Sequence, residues 1–392
     1  MTAENHRTPL FVSACAGMAS FGVALVFLGT MFGIPTMRAR LGVADMVRQG
    51  SLQAVLVLGV FLVTVIAGPL IDRFGTKPVL AGSAFLLGIA MAALSGAHGY
   101  TAATLLALLL GLGGGGLNLA TNALVSDVYH DNRGAKLNLL GVFFGVGALA
   151  FASLAALLEP RHLPLLMAVI AVGAFALALV YLLLPFPSAR ETSGFSLAGA
   201  ASVVRYPGVF LLALMLFFES GNEAALIGWA STWAGSFGAQ ARAATLVLAG
   251  FQLMMIAGRI IASRLLRYIG MQRLVLASAA GALASMIVLV TAHSAAQAAL
   301  AVALAGLTFS PIYQTVLAIA GDRYRQFAAT VFGVLFAVGL SGGMLVPWMI
   351  GHLSQSFGIR AGMAAPLVGA SMICVLMARE EIKKKAQDTP SA

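Results

Sequence analysis

Apolar runs divide this sequence more firmly than any other feature. Twelve of them fall at roughly 10–36, 48–71, 78–97, 101–126, 137–158, 163–185, 208–235, 243–265, 273–292, 297–320, 327–350 and 359–378. Each is near the ~20 residues that cross a bilayer as a helix. Hydrocarbon offers no partner to backbone N–H and C=O groups, so membrane-spanning chains are restricted to helices and closed barrels. Barrel strands would show ~10-residue alternating segments, which these runs do not. The expected fold is an all-α membrane protein of twelve transmembrane helices. Only 9% of the 392 residues are charged, against about 25% in soluble domains.

The two cysteines, Cys15 and Cys374, lie in apolar runs near opposite ends, which argues against a disulfide framework or a thiolate metal site. The net charge of +10 comes from basic residues scattered through short connections and the tail, so it argues for membrane topology and not for nucleic acid. The first apolar run is too long for the core of a cleavable signal peptide. Placing the N-terminus in the cytoplasm leaves Arg38, Arg40, Arg48, Arg161, Arg242 and Arg360 outside and the other 17 of the 23 Lys and Arg inside. That asymmetry predicts both termini on the cytoplasmic side, and Lys383–Lys385 reads as a basic tail attracted to anionic lipid. His98, His293 and His352 share no metal-ligand spacing, and no hydrolytic constellation is evident. No catalytic residue, metal or cofactor is expected.

The longest connection lies at the centre, with Pro185, Pro187, Ser188, Arg190 and Glu191. It predicts an N-terminal six-helix bundle over 1–187, a cytoplasmic linker over 188–206 and a C-terminal bundle over 207–392. The halves read as repeats. Gly68 opens GPLIDRFGTKP, Gly258 opens GRIIASRLLRYIG, and Gly111-Leu112 pairs with Gly306-Leu307 at a similar offset. Parallel six-helix repeats with substrate bound near the midplane are a recurring transporter plan.

The seventh run, Leu211–Trp233, carries Glu219 and Glu223. A charge at a helix centre in lipid costs roughly 2.5–3.5 kcal/mol on insertion scales, so such residues face a bundle interior or a wet cavity. The i, i+4 spacing puts both carboxyls on one face. A helix beginning near Pro207 places Glu219 ~18 Å in, close to mid-membrane. Two carboxyls one turn apart resist double ionisation, so the pair is suited to hold and release a proton. It is equally suited to accept from substrate hydroxyls, to balance a cation, or to make a structural bond between helices. No basic residue is expected deep in the membrane beside it.

Other polar groups interrupt the apolar runs. The stretch GLGGGGLNLATN (111–122) lacks the strand and the Gly-Lys-Ser/Thr ending of a phosphate loop, and reads as a closely packed helix. It puts Asn118 and Asn122 on one face, lining a cavity or bonding between helices. Gln53, Asn222, Gln252, Tyr313 and Gln314 offer donors and acceptors suited to sugar hydroxyls, and Trp229 a face for a sugar ring. Trp233, near the outer end, is expected in the interfacial aromatic belt, and Trp348 likewise.

The segment Gly68-Pro-Leu-Ile-Asp72-Arg73-Phe-Gly75-Thr-Lys77 resembles the signature loop between helices two and three of the major facilitator superfamily. The resemblance implies alternating-access transport of small solutes. It implies a cytoplasmic gate at Gly68, Asp72, Arg73, Gly75 and Lys77, joined by Asp127 and Arg133, with Gly68 permitting close helix contact and Gly75 a tight turn. Gly221-Asn222-Glu223 with Trp229 is similar to a pattern in the seventh helix of fucose-permease-like sugar/proton symporters. So are Asn138, Phe144-Gly-Val-Gly147 and Pro347-Trp348 with Gly351. That family carries acids in helices one and four. Here run one has none within the membrane and run four offers Asn118 and Asn122, which moves the proton-coupling expectation to Glu219 and Glu223.

The function expected is proton-coupled symport of a sugar-like solute, with sodium as the alternative coupling ion. The setting is a bacterial-type inner membrane, with the lipid bilayer as partner, no nucleic acid, and the monomer as functional unit. The alternative is an efflux antiporter for cationic or lipophilic compounds. Against it, run five reads GVFFGVGALAF and lacks the Gly-Pro pair of the antiporter motif. A receptor of the same fold is disfavoured by loops too short for a signalling domain.

Overall fold

The computed structural model describes residues 3–129, 133–186, 206–324 and 328–388. Twelve of its helices are long and apolar enough to cross a membrane, and no strand occurs among the described residues. They are α1 (Ala3–Phe32), α2 (Met46–Phe74), α3 (Thr76–Gly96), α4 (Tyr100–Val128), α5 (Arg133–Leu157) and α6 (Leu163–Leu183). After the connection come α7 (Pro207–Gly235), α8 (Ala241–Leu265), α9 (Met271–Val290), α10 (Ala295–Arg323), α11 (Ala328–Phe357) and α12 (Ala365–Asp388). The eleventh continues past its expected end at 350, with Pro347 inside it. Bundled helices tolerate proline because neighbouring groups answer the freed carbonyl.

The chain divides into two compact units. One comprises Met1–Gly194 with Gln240–Ala249, the other Phe195–Ala239 with Gly250–Ala392. The residues 187–205, which hold nearly all of the predicted linker, lie outside the described set.

Within the first unit α1 packs on α5 and α4, α2 on α4, and α3 on α4 and α6. Within the second, α7 packs on α11, α10 and α12, and α9 on α10 and α12. Adding six to each helix number of the first pattern gives the second, with α7 on α12 answering a lighter contact of α1 with α6 and glycine supplying the α8–α10 contact. A Cβ on Gly111 of α4 would run into the Leu56 carbonyl of α2, and one on Gly306 of α10 would run into the Phe251 carbonyl of α8. Both pairs are 195 residues apart. This register corrects the repeat read from the glycines: Gly258 matches Val63, and the partner of Gly68 is Ser263. Gly75, the N-cap of α3, then matches Gly270, the N-cap of α9. Asp72 and Arg73 match Arg267 and Tyr268, so the second copy has lost the acid. Identical letters five positions out of step misled the sequence comparison, whereas backbone contacts cannot slip.

The signature loop is a sharp corner. Gly75 has φ +81°, a conformation that glycine adopts at no steric cost, and it ends α2 and starts α3. The expectation for Gly68 is not met: a Cβ there would meet nothing within 4 Å. Lys77 Nζ donates to the Leu184 carbonyl at 3.1 Å, capping α6 from α3. On the opposite ends of the helices, Arg40 donates to the Ala97 and Ser95 carbonyls at the end of α3. Arg360 donates to Val290 and Ala292 at the end of α9, at 3.0 and 2.8 Å. Two of the six predicted outer cations are thus helix caps, serving carbonyls that a helix end leaves unpaired.

Candidate functional site

Glu219 and Glu223 are set by the way α7 packs. Tyr206 is extended before it and Pro207 opens it, a position where proline's missing N–H costs nothing. A Cβ on Gly342 of α11 would run into the Phe217 carbonyl, and one on Gly221 into Val346 of α11. The Trp229 indole N–H donates to the Pro347 carbonyl at 3.3 Å. Phe217, Gly221 and Trp229 thus face α11. At 100° per residue, Glu219 and Glu223 lie about 200° from Gly221, on the opposite side. Asn222 packs against Gly369 of α12.

A guanidinium and a phenol on two other helices of the same unit lie within electrostatic reach of the acids. Arg259 of α8 acts electrostatically on both carboxyls, and both act on Tyr313 of α10. Glu219 is 1% exposed, and its Oε2 accepts no hydrogen bond among the described residues. Glu223 and Arg259 are half-buried. Arg259 corrects two expectations: the acids do have a basic neighbour, and Arg259 is not a loop cation. It lies ~9 Å inside the end of α8 at Leu265. Without it the predicted inner count falls to sixteen against six, so the topological asymmetry stands. The signal was present, because Arg259 falls inside the apolar run 243–265.

Gln252 lies seven residues before Arg259, nearly on the same face of α8 and ~10 Å further from that end. It is wholly buried, and neither side-chain atom hydrogen-bonds among the described residues. Tyr313 is positioned by a break in α10. The helix runs as Ala295–Phe309 and Ile312–Arg323, interrupted at Ser310-Pro311. Pro311 has no N–H for the Leu307 carbonyl, and the Ser310 hydroxyl donates to it instead at 3.0 Å. A Cβ on Gly258 would run into both Ser310 Oγ and the Leu307 carbonyl, so α8 closes against the break itself. The Tyr313 ring sits 6.3 Å from Phe336 of α11, while Gln314 beside it is exposed.

In the first unit, Asn122 Nδ2 donates to the Asn118 carbonyl and Oδ1, at 2.8 and 3.1 Å. The 195-residue register makes Asn118 the counterpart of Tyr313. Gln53 is wholly buried, with neither side-chain atom hydrogen-bonded among the described residues. Asp72 is half-buried. Arg73 is exposed, its guanidinium 5.1 Å from the Phe74 ring centroid. Asp127 is exposed in the last turn of α4. The side chains of Arg133 and Asn138 lie outside the described residues.

Trp229 is wholly buried with its N–H engaged. Trp233 is also buried, at 1% exposure, which overturns the belt reading. Every residue of α7 from Ala224 to Ala234 is buried, so that end of the helix has no lipid face. Its ring sits edge-on to Phe237 at 4.8 Å and 5.9 Å from the Arg360 guanidinium. Trp348 is 43% exposed and 4.2 Å from the His352 ring.

The fold has close counterparts among solved structures. A bacterial homologue of the human lysosomal transporter Spinster, inward-facing and occupied, superposes with a TM-score of 0.77 at 14% identity over 98% of both chains. The nucleoside transporter NupG gives 0.76 at 14% identity, over 95% of this chain and 99% of its own. The E. coli fucose:proton symporter FucP gives 0.65 at 18% identity, over 94% and 98%. No curated protein gives a significant sequence match. The model of the Major Facilitator Superfamily matches residues 10–347, nearly the whole chain, which therefore belongs to that superfamily and is a transporter, not an enzyme.

Proposed function

We propose that the protein is a proton-coupled symporter of a sugar or other small polar solute, working by alternating access. The observation behind this reading is the group of Glu219, Glu223, Arg259 and Tyr313, with a buried Glu219 oxygen that accepts no hydrogen bond among the described residues. Protonation there and solute binding nearby couple if both bias one inward–outward equilibrium. The cargo class draws support from two structural neighbours, a fucose:proton symporter and a nucleoside transporter; fucose and nucleosides both present ring hydroxyls. Gln252, Gln53, Asn118, Asn122, Tyr313 and Gln314 supply donors and acceptors for such groups. Asn222 and Trp229, held against α12 and α11, take the role of fixing the rotation of α7. The loop at Asp72 and Arg73, with Asp127, is the proposed cytoplasmic gate. The protein acts as a monomer in a bacterial-type inner membrane, both termini cytoplasmic, with a proton as coupling ion.

Purified protein in liposomes with an internal pH dye tests this with a panel of fucose, other hexoses, uridine, organic acids and a cationic dye. Inward proton movement driven by a neutral hydroxylated solute, lost in Glu219→Gln or Glu223→Gln, is the expected result. Loss of the cationic dye driven by a proton gradient, with no response to sugars or nucleosides, would replace the reading with efflux antiport.

A further inference from the structure

We infer that Asn118 and Asn122 read an uncharged solute, one that offers a hydrogen-bond acceptor beside a donor, such as two neighbouring hydroxyls or the edge of an amide. The inference deepens, and rests on, the reading of this protein as a carrier of a small polar solute. Asn122 Nδ2 donates to the Asn118 carbonyl at 2.8 Å and to Asn118 Oδ1 at 3.1 Å. A backbone carbonyl only accepts, so the nitrogen end of the Asn122 amide is the end turned toward it. Both N–H groups of that nitrogen are then engaged, and Asn118 is turned oxygen-first to meet the second. Among the described residues this leaves unused the Asn118 nitrogen, with two N–H donors, and the Asn122 oxygen, with its lone pairs. The pair therefore presents one donor and one acceptor side by side, with no charge. A carboxylate finds only the donor and is opposed by the Asn122 oxygen. An ammonium finds only the acceptor and is opposed by the Asn118 N–H groups. A neutral solute with both functions uses both.

The packing of α4 turns this pair toward the interior of its unit. Gly111 and Gly115 meet α2, where a Cβ would run into Leu56 and Val60, and Gly114 meets α1 at Phe21 and Ala24. At 100° per residue, Asn118 and Asn122 fall inside the arc from Gly114 to Gly115. Leu105, 65% exposed, lies about 120° from the middle of the pair and marks the lipid side. Asn118 lies ~15 Å from the end of α4 at Val128 and Asn122 ~9 Å, depths at which an amide without partners is costly. Neither side chain bonds to α1 or α2 among the described residues, so the pair does not tie helices together, and both side chains are half-buried. The equivalent positions of α10 hold Tyr313 and Leu317, so the donor–acceptor pair is particular to the first unit.

Calorimetric binding to the full chain in lipid nanodiscs, with no proton gradient, tests this with fucose, glucose, uridine, glucuronate and choline. A neutral member is expected to bind tightest, and blocking its donor to weaken it about 5- to 150-fold. A series of mono-O-methyl ethers blocks each hydroxyl of a hexose in turn. In uridine the N-methyl base blocks the amide edge and dideoxyuridine removes the ribose hydroxyls, which separates the two sources of the same chemistry. Asn118→Asp, with an acceptor where the free donor stands, is expected to weaken the neutral solute over the same range. Asn122→Leu is expected to abolish the penalty for the blocked donor. Glucuronate or choline binding tightest, no neutral member binding, neutral binding unchanged in Asn118→Asp, or a penalty that survives in Asn122→Leu overturns the inference. Circular dichroism and melting temperature establish that each variant is folded. Where one is not, Asn118→Gln or Asn122→Gln, which shifts the amide by one carbon, takes its place: a loss of neutral binding is expected, and no loss overturns the inference. Solute-driven proton flux that does not depend on this pair would sink the inference and leave the proposed function standing. Neutral binding that needs the pair but drives no proton would do the reverse.

Discussion

Two glycines on one helix make a matched experiment on the packing that holds α8 to α10. A Cβ on Gly258 would collide with the Leu307 backbone carbonyl and with Ser310 Oγ, whereas one on Gly250 would meet no atom within 4 Å. Replacing glycine by alanine in a helix interior gains roughly 0.5–1 kcal/mol in either place. At Gly258 a backbone atom must also move, and overpacking of this kind costs about 1–3 kcal/mol. Gly250→Ala is therefore expected to stabilise slightly. Gly258→Ala is expected to fall about 1–3 kcal/mol below it, the helix term cancelling between the two. At about 2–4 °C per kcal/mol for a unit of this size, that separates the melting temperatures by roughly 2–12 °C. Intrinsic fluorescence on heating the two purified variants in the same detergent reads the difference directly. A Gly258→Ala protein that melts with or above Gly250→Ala would refute the claim that α8 is seated on the break in α10.

Ser310→Ala removes the donor on the Leu307 carbonyl and is expected to cost about 1–3 kcal/mol; the same melting assay checks it, and no loss would mean that the carbonyl finds another partner. Trp229→Phe keeps most of the ring but loses the bond to Pro347, an expected cost of about 0.5–1.5 kcal/mol in the same assay. Breaking the Arg323–Glu380 pair, 2.7 Å apart with Arg323 47% exposed, should cost under ~1 kcal/mol, so Arg323→Gln is expected to melt close to the unaltered protein.

The helices were legible because each needs ~20 apolar residues and nothing else in water-free surroundings satisfies a backbone. Glu219 and Glu223 were legible because acids in such runs are conspicuous. Arg259 was legible too, inside the apolar run 243–265, but was grouped with Arg264 and Arg267 as an inner cation, and its distance from the end of α8 at Leu265 separates it from them. The break at Ser310-Pro311 went unread because the whole run 297–320 is long and apolar enough to pass as one helix. Trp233 was misjudged because distance along a helix gives depth but not which side is covered.

The 195-residue register reaches one step further. Across the α1–α5 and α7–α11 contacts, Gly147 meets Ala19 and Gly342 meets Phe217, so α1 maps onto α7 with an offset of 198. Glu219 then answers to Phe21, whose ring lies 5.2 Å from Phe144, and Glu223 to Leu25. Where one half carries its acids, the other has an aromatic and an aliphatic side chain. A duplicated scaffold has thus been divided by labour: its two lobes inherit one architecture, but the ionisable pair on their leading helices belongs to the later half alone.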